Sequence, residues 1–106
     1  MIIAPADWEQ QIKLLRLLSA EMLELAEAGD WETVSEWEVK RRNLLDQLLT
    51  QPAPDDFIPL LKDAVRSLLA SDARLVDMAR VEMGKLGDHL AAIHKGRRAL
   101  HAYQSL

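Results

Sequence analysis

The chain of 106 residues is long enough for one domain, and its composition excludes several classes of protein. Apolar residues make up 49% and charged residues 28%, which is the balance of a folded chain. Cysteine is absent, so disulfides, thiolate catalysis and cysteine zinc sites are excluded. The net charge of −4 disfavours nucleic acid and anionic membrane surfaces as direct partners.

Leucine and alanine are abundant, whereas the aromatic residues are only three tryptophans, one tyrosine and one phenylalanine. This bias favours helix and disfavours strand. No stretch approaches the ~18–20 apolar residues of a membrane span, so membrane insertion is not expected. Residues 1–7 lack the basic and apolar segments of a secretory signal, which predicts a cytoplasmic protein.

The first predicted helix covers residues 7–28. Asp7 and Gln10 have the spacing of an N-terminal capping box. Gly29 is expected to end the helix in the left-handed conformation, and Asp30 to cap the next helix. This predicts a tight hairpin of two antiparallel helices. Apolar residues at helical spacing are predicted to form its buried face: Trp8, Leu15, Leu18, Met22, Leu25 and Ala26.

The second predicted helix covers residues 31–50 and ends before Pro52. Its apolar stripe is interrupted by Glu38 and Arg41, which are three residues apart and can pair on one helix surface. We interpret these two residues as an intrahelical pair, or as a pair to a neighbouring helix that fixes register. The alternative is that the two residues make polar contacts to a client protein within a binding groove.

The third predicted helix covers residues 56–95. Its stripe stays in phase past Asp72, so a continuous helix is favoured over a break at Ser71-Asp72. Asp72 is expected to have a partner such as the Trp31 indole N–H, or to act as a cap. Gly96 is expected to end the helix. The stripe consists of Phe57, Leu61, Val65, Leu68, Leu75, Ala79, Met83, Leu86, Leu90 and Ile93.

A short tail helix is predicted over residues 97–105. The whole pattern predicts an all-α fold in a single domain, residues 1–106. Its architecture is an antiparallel helical bundle of three main helices, the third one long, plus the short C-terminal helix.

The third helix is longer than the hairpin that it packs against, so its stripe beyond about Leu75 overhangs and needs a cover. The tail, a second copy in a homodimer, or a client protein could supply it. Trp37 and six residues of the third helix are predicted to form a partner-binding groove. Four residues of the tail are predicted to form a regulatory cover over it. The groove set is Trp37, Leu68, Leu75, Met78, Met83, Leu86 and Leu90, and the tail set is Arg97, Arg98, Leu100 and Tyr103.

The sequence shows no catalytic constellation. His94 and His101 share a helix face but lie ~10 Å apart along its axis, too far to hold one zinc ion. His89 and His94 point in directions about 140° apart. No glycine-rich phosphate loop and no nucleophilic triad are present. We therefore predict no metal, no cofactor and no enzymatic activity.

Several segments together resemble the FliT family of flagellar export chaperones over roughly residues 8–103. These are Leu23-Glu24-Leu25-Ala26, Gly29-Asp30-Trp31-Glu32, and Glu38 and Arg41 before Leu44-Leu45. The tail Gly96-Arg97-Arg98-Ala99-Leu100 with Tyr103 is similar to the C-terminal signature of that family.

The resemblance implies a small cytoplasmic chaperone that binds the C-terminal segment of the filament cap protein FliD. It implies that the chaperone prevents early assembly of this client and escorts it to the type III export apparatus. Further implied partners are the export ATPase, the export gate and, in some bacteria, the flagellar master transcription activator. The C-terminal helix would be a regulatory cover for the client surface. The alternative from the residues alone is a non-enzymatic homodimeric helical protein with a structural or regulatory role.

Overall fold

A computed structural model describes the backbone of residues 2–104 and the side chains of residues 2–88, 91 and 92. It contains three α-helices: α1 (Trp8–Glu27), α2 (Trp31–Leu49) and α3 (Ile58–Gln104). Turns of 3₁₀ helix at Pro5–Asp7 and Asp55–Phe57 precede α1 and α3. No strand occurs among the described residues, which confirms the all-α prediction. Backbone contacts divide the chain into a first unit, Met1–Val76, and a second unit, Asp77–Leu106.

The turn between α1 and α2 has the predicted conformation. Gly29 has a φ of 78°, which a residue with a side chain adopts at a cost. The Gly29 amide donates to the Ala26 carbonyl at 3.0 Å, and the Asp30 amide donates to the Leu25 carbonyl at 2.9 Å. These two bonds form a Schellman motif. The Asp30 carboxylate then accepts from the Thr33 amide at 3.2 Å, so it caps α2 as expected.

The predicted capping box at Asp7 is wrong. The Asp7 side chain makes no capping hydrogen bond to α1. Pro5 begins a 3₁₀ turn in which the Asp7 amide donates to the Ala4 carbonyl at 2.9 Å. Asp7 therefore has φ −97° and ψ −8°. An N-cap side chain reaches the amides of the first turn from an extended backbone, which Asp7 does not have.

The core of the first unit is shared by α1, α2 and the beginning of α3. The ends of the α1–α2 hairpin meet where the Ile3 amide donates to Gln51 Oε1 at 2.7 Å. Leu15 and Leu48 are completely buried between the helices. The main cluster, which we call the inner core, consists of Ile3, Trp8, Ile12, Leu15, Leu18, Leu44, Leu48, Ala64 and Leu68.

Helix α3 is continuous from Ile58 to Gln104. It does not break at Ser71–Asp72, and it does not end at Gly96. The prediction of a separate short tail helix is therefore not confirmed. An interior glycine costs a helix only about 1 kcal/mol relative to alanine, and no proline follows Gly96 to end the helix. The side chains of Arg97, Arg98, Leu100 and Tyr103 lie outside the described residues.

Candidate protein-binding surface

A buried arginine joins all three helices of the first unit. Arg41 on α2 is only 5% exposed. Its guanidinium donates to the hydroxyl of Ser19 on α1 at 3.2 Å and forms an ion pair with the Asp72 carboxylate on α3. The Ser19 hydroxyl itself donates to the Leu15 carbonyl at 3.2 Å, which leaves its oxygen free to accept from Arg41. We call Ser19, Arg41 and Asp72 the polar layer.

The predicted pair of Glu38 and Arg41 is wrong, although Arg41 does pair with a neighbouring helix. Glu38 pairs instead with Arg42 at 2.9 Å, one turn along the exposed surface of α2. Arg41 points into the interior, where its guanidinium donates to the Ser19 hydroxyl and pairs with the Asp72 carboxylate. Residues three apart on a helix point in directions that differ by about 60°. Arg41 can therefore be buried while Glu38 lies at the surface, and the two side chains then do not pair.

The suggested Trp31 partner for Asp72 is also wrong. Asp72 receives the Arg41 guanidinium, and the Trp31 indole nitrogen is buried without a hydrogen-bond partner among the described residues. The sequence did carry a signal for the correct grouping. Ser19, Arg41 and Asp72 are each a polar exception on the apolar stripe of a different helix.

Three of the predicted groove residues belong to the interior of the first unit. Leu68 is part of the inner core, and Leu75 is buried as well. Trp37 is partly buried and packs against the inner core, with Lys40 Nζ 4.9 Å from its ring centroid. Leu68 and Leu75 are thus not available to a partner in this structure, because both side chains are already buried.

The remaining predicted groove residues lie in the second unit. Met83 is 73% exposed and Leu86 is 58% exposed. Met78 and Ala79 are partly exposed, and the side chain of Leu90 lies outside the described residues. Positions 79, 83 and 86 are spaced by four and three residues, so they share one helix face. We call Ala79, Met83 and Leu86 the distal stripe.

The charged side chains of the second unit pair along the same helix. Asp77 lies 3.8 Å from Arg80, and Glu82 lies 3.8 Å from Lys85, both three residues apart. Such exposed pairs contribute little stability, and they place charges of both signs beside the distal stripe within the described residues. The surface therefore offers apolar contact rather than a concentrated charge.

Metal sites and membrane segments can be considered for the part of the chain that the structure describes. Among the described residues, no group of three or more His, Cys, Asp or Glu side chains could hold a metal ion. Over those same residues, no helix is both long enough and apolar enough to cross a bilayer.

An all-helical protein with an exposed apolar stripe on its longest helix has the features of a module that binds another protein. The family described as flagellar protein FliT matches residues 9–105 of the chain. The chain therefore belongs to the FliT family of flagellar export chaperones, which is not known as an enzyme family. Neither the curated proteins nor the solved structures contain a match to this chain.

Proposed function

We propose that this chain is a cytoplasmic chaperone for the flagellar filament cap protein, a FliD-like client. It binds the C-terminal helical segment of the client, prevents premature assembly and delivers the client to the type III export apparatus. Membership of the FliT family supports the general role in flagellar export. The exposed distal stripe supports the mode of binding, in which an amphipathic client helix packs along α3.

The single observation that carries this proposal is a difference in burial between residues of equal helical phase. Leu86 follows Leu68 by 18 residues, which is five turns of an α-helix. Leu68 is 6% exposed, because it covers the hairpin, whereas Leu86 is 58% exposed. Met83 likewise follows the partly buried Val65 by 18 residues. The apolar pattern that packs a core in the first unit thus continues where no described residue covers it.

The contacts proposed for the client are Met83 and Leu86, with Met78 at the edge and Leu90 added by spacing. Burying a leucine or methionine side chain contributes about 1.5–3 kcal/mol. Burial of two such side chains against an apolar client helix is therefore strongly favoured over leaving them exposed to water. The methionine also adapts to clients of differing shape, because its side chain is unbranched and flexible.

The test is a titration of the purified full-length chain with the purified cap protein, comparing Leu86→Glu with Val81→Glu. Val81 is a matched control because it is also 58% exposed and lies five residues away, about 140° around the same helix. We expect Leu86→Glu to weaken binding at least tenfold and Val81→Glu to change it less than twofold. Equal effects of the two substitutions, or no binding by the unmodified chain, would refute the proposal.

A homodimer formed through the distal stripe is the second candidate function, and the same variants separate it from the first. Light scattering measures the mass of the free chain. If Leu86→Glu converts a dimer to a monomer and leaves capture of the cap protein unchanged, the distal stripe is a self-association surface. If it abolishes capture, the stripe binds the client.

The export ATPase, the export gate and the flagellar master transcription activator are proposed as further partners on the basis of the family alone. The tail residues Arg97, Arg98, Leu100 and Tyr103 are proposed to regulate access to the distal stripe. In a continuous helix the tail cannot reach the segment that precedes it. A tail that covers its own distal stripe therefore requires α3 to break, and Gly96 is the weakest position for helix in that region.

A further inference from the structure

The polar layer divides the buried interior of the first unit into two parts. On α1 the inner core includes Leu18 and stops before Ser19. On α2 it stops at Leu44, before Arg41, and on α3 it stops at Leu68, before Asp72. On the other side of the polar layer lie four more buried apolar residues that do not belong to the inner core. This outer set consists of Met22, Ala26, Val34 and Leu75.

Helix α3 contributes one residue to the outer set. That residue is Leu75, which is 8% exposed, and the other three members of the outer set belong to α1 and α2. An exposed ion pair between Arg74 and Glu27, at 3.2 Å, also links α3 to the hairpin at this end. Exposed pairs of this kind contribute little. Among the described residues, the buried Leu75 and the Asp72–Arg41 pair are therefore the main candidates for attaching this turn of α3.

We propose that residues 72–76 of α3 are a separately opening segment of the first unit, and that the Arg41–Asp72 ion pair is the latch that closes it. Opening removes Leu75 from the outer set and exposes Met22 and Val34, while the inner core stays packed. Cooperative units with different opening free energies are a general property of folded proteins. Here the boundary is the polar layer, because the buried residues of the inner core end there and the partly buried Trp37 is the described apolar side chain of α2 that packs against them from the other side.

The chemistry of the latch explains how it can open without global unfolding. Arg41 is buried, but the Asp72 side chain is 40% exposed. When α3 detaches at this point, Asp72 gains water at once, and Arg41 keeps its bond to Ser19. A pair that is buried on both sides would resist opening more strongly, because both charges would lose their partner in a dry interior.

Hydrogen exchange of backbone amides in the full-length chain tests this inference and needs no client. We expect amides of residues 72–76 to exchange at least tenfold faster than those of residues 61–68. Asp72→Asn keeps the shape of the side chain and removes its charge. It should accelerate exchange in residues 72–76 at least tenfold, while residues 12–18, 44–48 and 61–68 change less than twofold.

Two further variants make the result specific to the latch. Arg74→Gln removes the exposed ion pair in the same segment and should change exchange less than twofold. The double variant Arg41→Met with Asp72→Leu makes the interior apolar across the layer, and it should return exchange in residues 72–76 to the rate of the unmodified chain or below. Equal acceleration throughout the first unit in Asp72→Asn, or an equal effect of Arg74→Gln, would overturn the proposal.

Discussion

Two adjacent arginines on α2 are expected to differ widely in their contribution to stability. Arg41 is buried and bonded to Ser19 and Asp72, whereas Arg42 is 58% exposed and paired with Glu38. Arg41→Met removes hydrogen bonds made by a charged group, which contribute about 1.5–3 kcal/mol each in buried sites. Because Asp72 is partly exposed and regains water, we expect a total loss of about 2–3 kcal/mol. Arg42→Met should lose only about 0.3–0.5 kcal/mol.

The assay is urea unfolding of both variants at neutral pH, followed by circular dichroism at low protein concentration. The free energy of unfolding is compared at a common denaturant concentration, which avoids long extrapolation. A double-mutant cycle then assigns the partner. Arg41→Met and Asp72→Asn should couple by more than about 1 kcal/mol, and Arg41→Met and Glu38→Gln by less than about 0.5 kcal/mol.

This reasoning is refuted if Arg41→Met and Arg42→Met lose the same free energy of unfolding. It is also refuted if Glu38, rather than Asp72, couples to Arg41. Either result would mean that the register is fixed on the surface of α2 and not across the three helices.

Four other substitutions test the turn, α3 and the tail. Asp30→Ala loses a helix cap, which contributes about 0.5–2 kcal/mol. Gly29→Val should lower the thermal midpoint more than Asp30→Ala does, because valine tolerates the φ of 78° poorly. Equal melting curves of the two variants would contradict this. Gly87→Ala should raise helicity by circular dichroism, since an added methyl group meets nothing within 4 Å, and unchanged or lower helicity would count against it. Removing residues 97–106 should strengthen client binding, and Gly96→Ala should do the same by preventing a break. If neither change affects the dissociation constant for the cap protein, the tail does not regulate the site.

Several features of the protein follow from the sequence because they depend on neighbouring residues. Scarce aromatic residues and apolar spacing of three and four residues indicated helices, and Gly29-Asp30 placed the first turn correctly. A glycine in the left-handed conformation followed by a capping aspartate is a local arrangement, so its energy is set within a few residues. The same local reasoning failed at Asp7, where Pro5 imposed a 3₁₀ turn, and at Gly96, where the helix continued.

The partners of charged groups, and the burial of Leu68 and Leu75 within the predicted groove set, were decided only by the tertiary structure. Helical spacing allowed Arg41 to pair with Glu38, and only the packing of α3 against the hairpin brought Asp72 to it instead. Leu68 and Leu86 have the same helical phase and the same side chain, so periodicity does not distinguish them; only the predicted helix lengths placed Leu86 on the overhang beyond Leu75. One covers the hairpin and the other is exposed, because burial depends on what lies opposite a residue in space rather than on its position in a repeat.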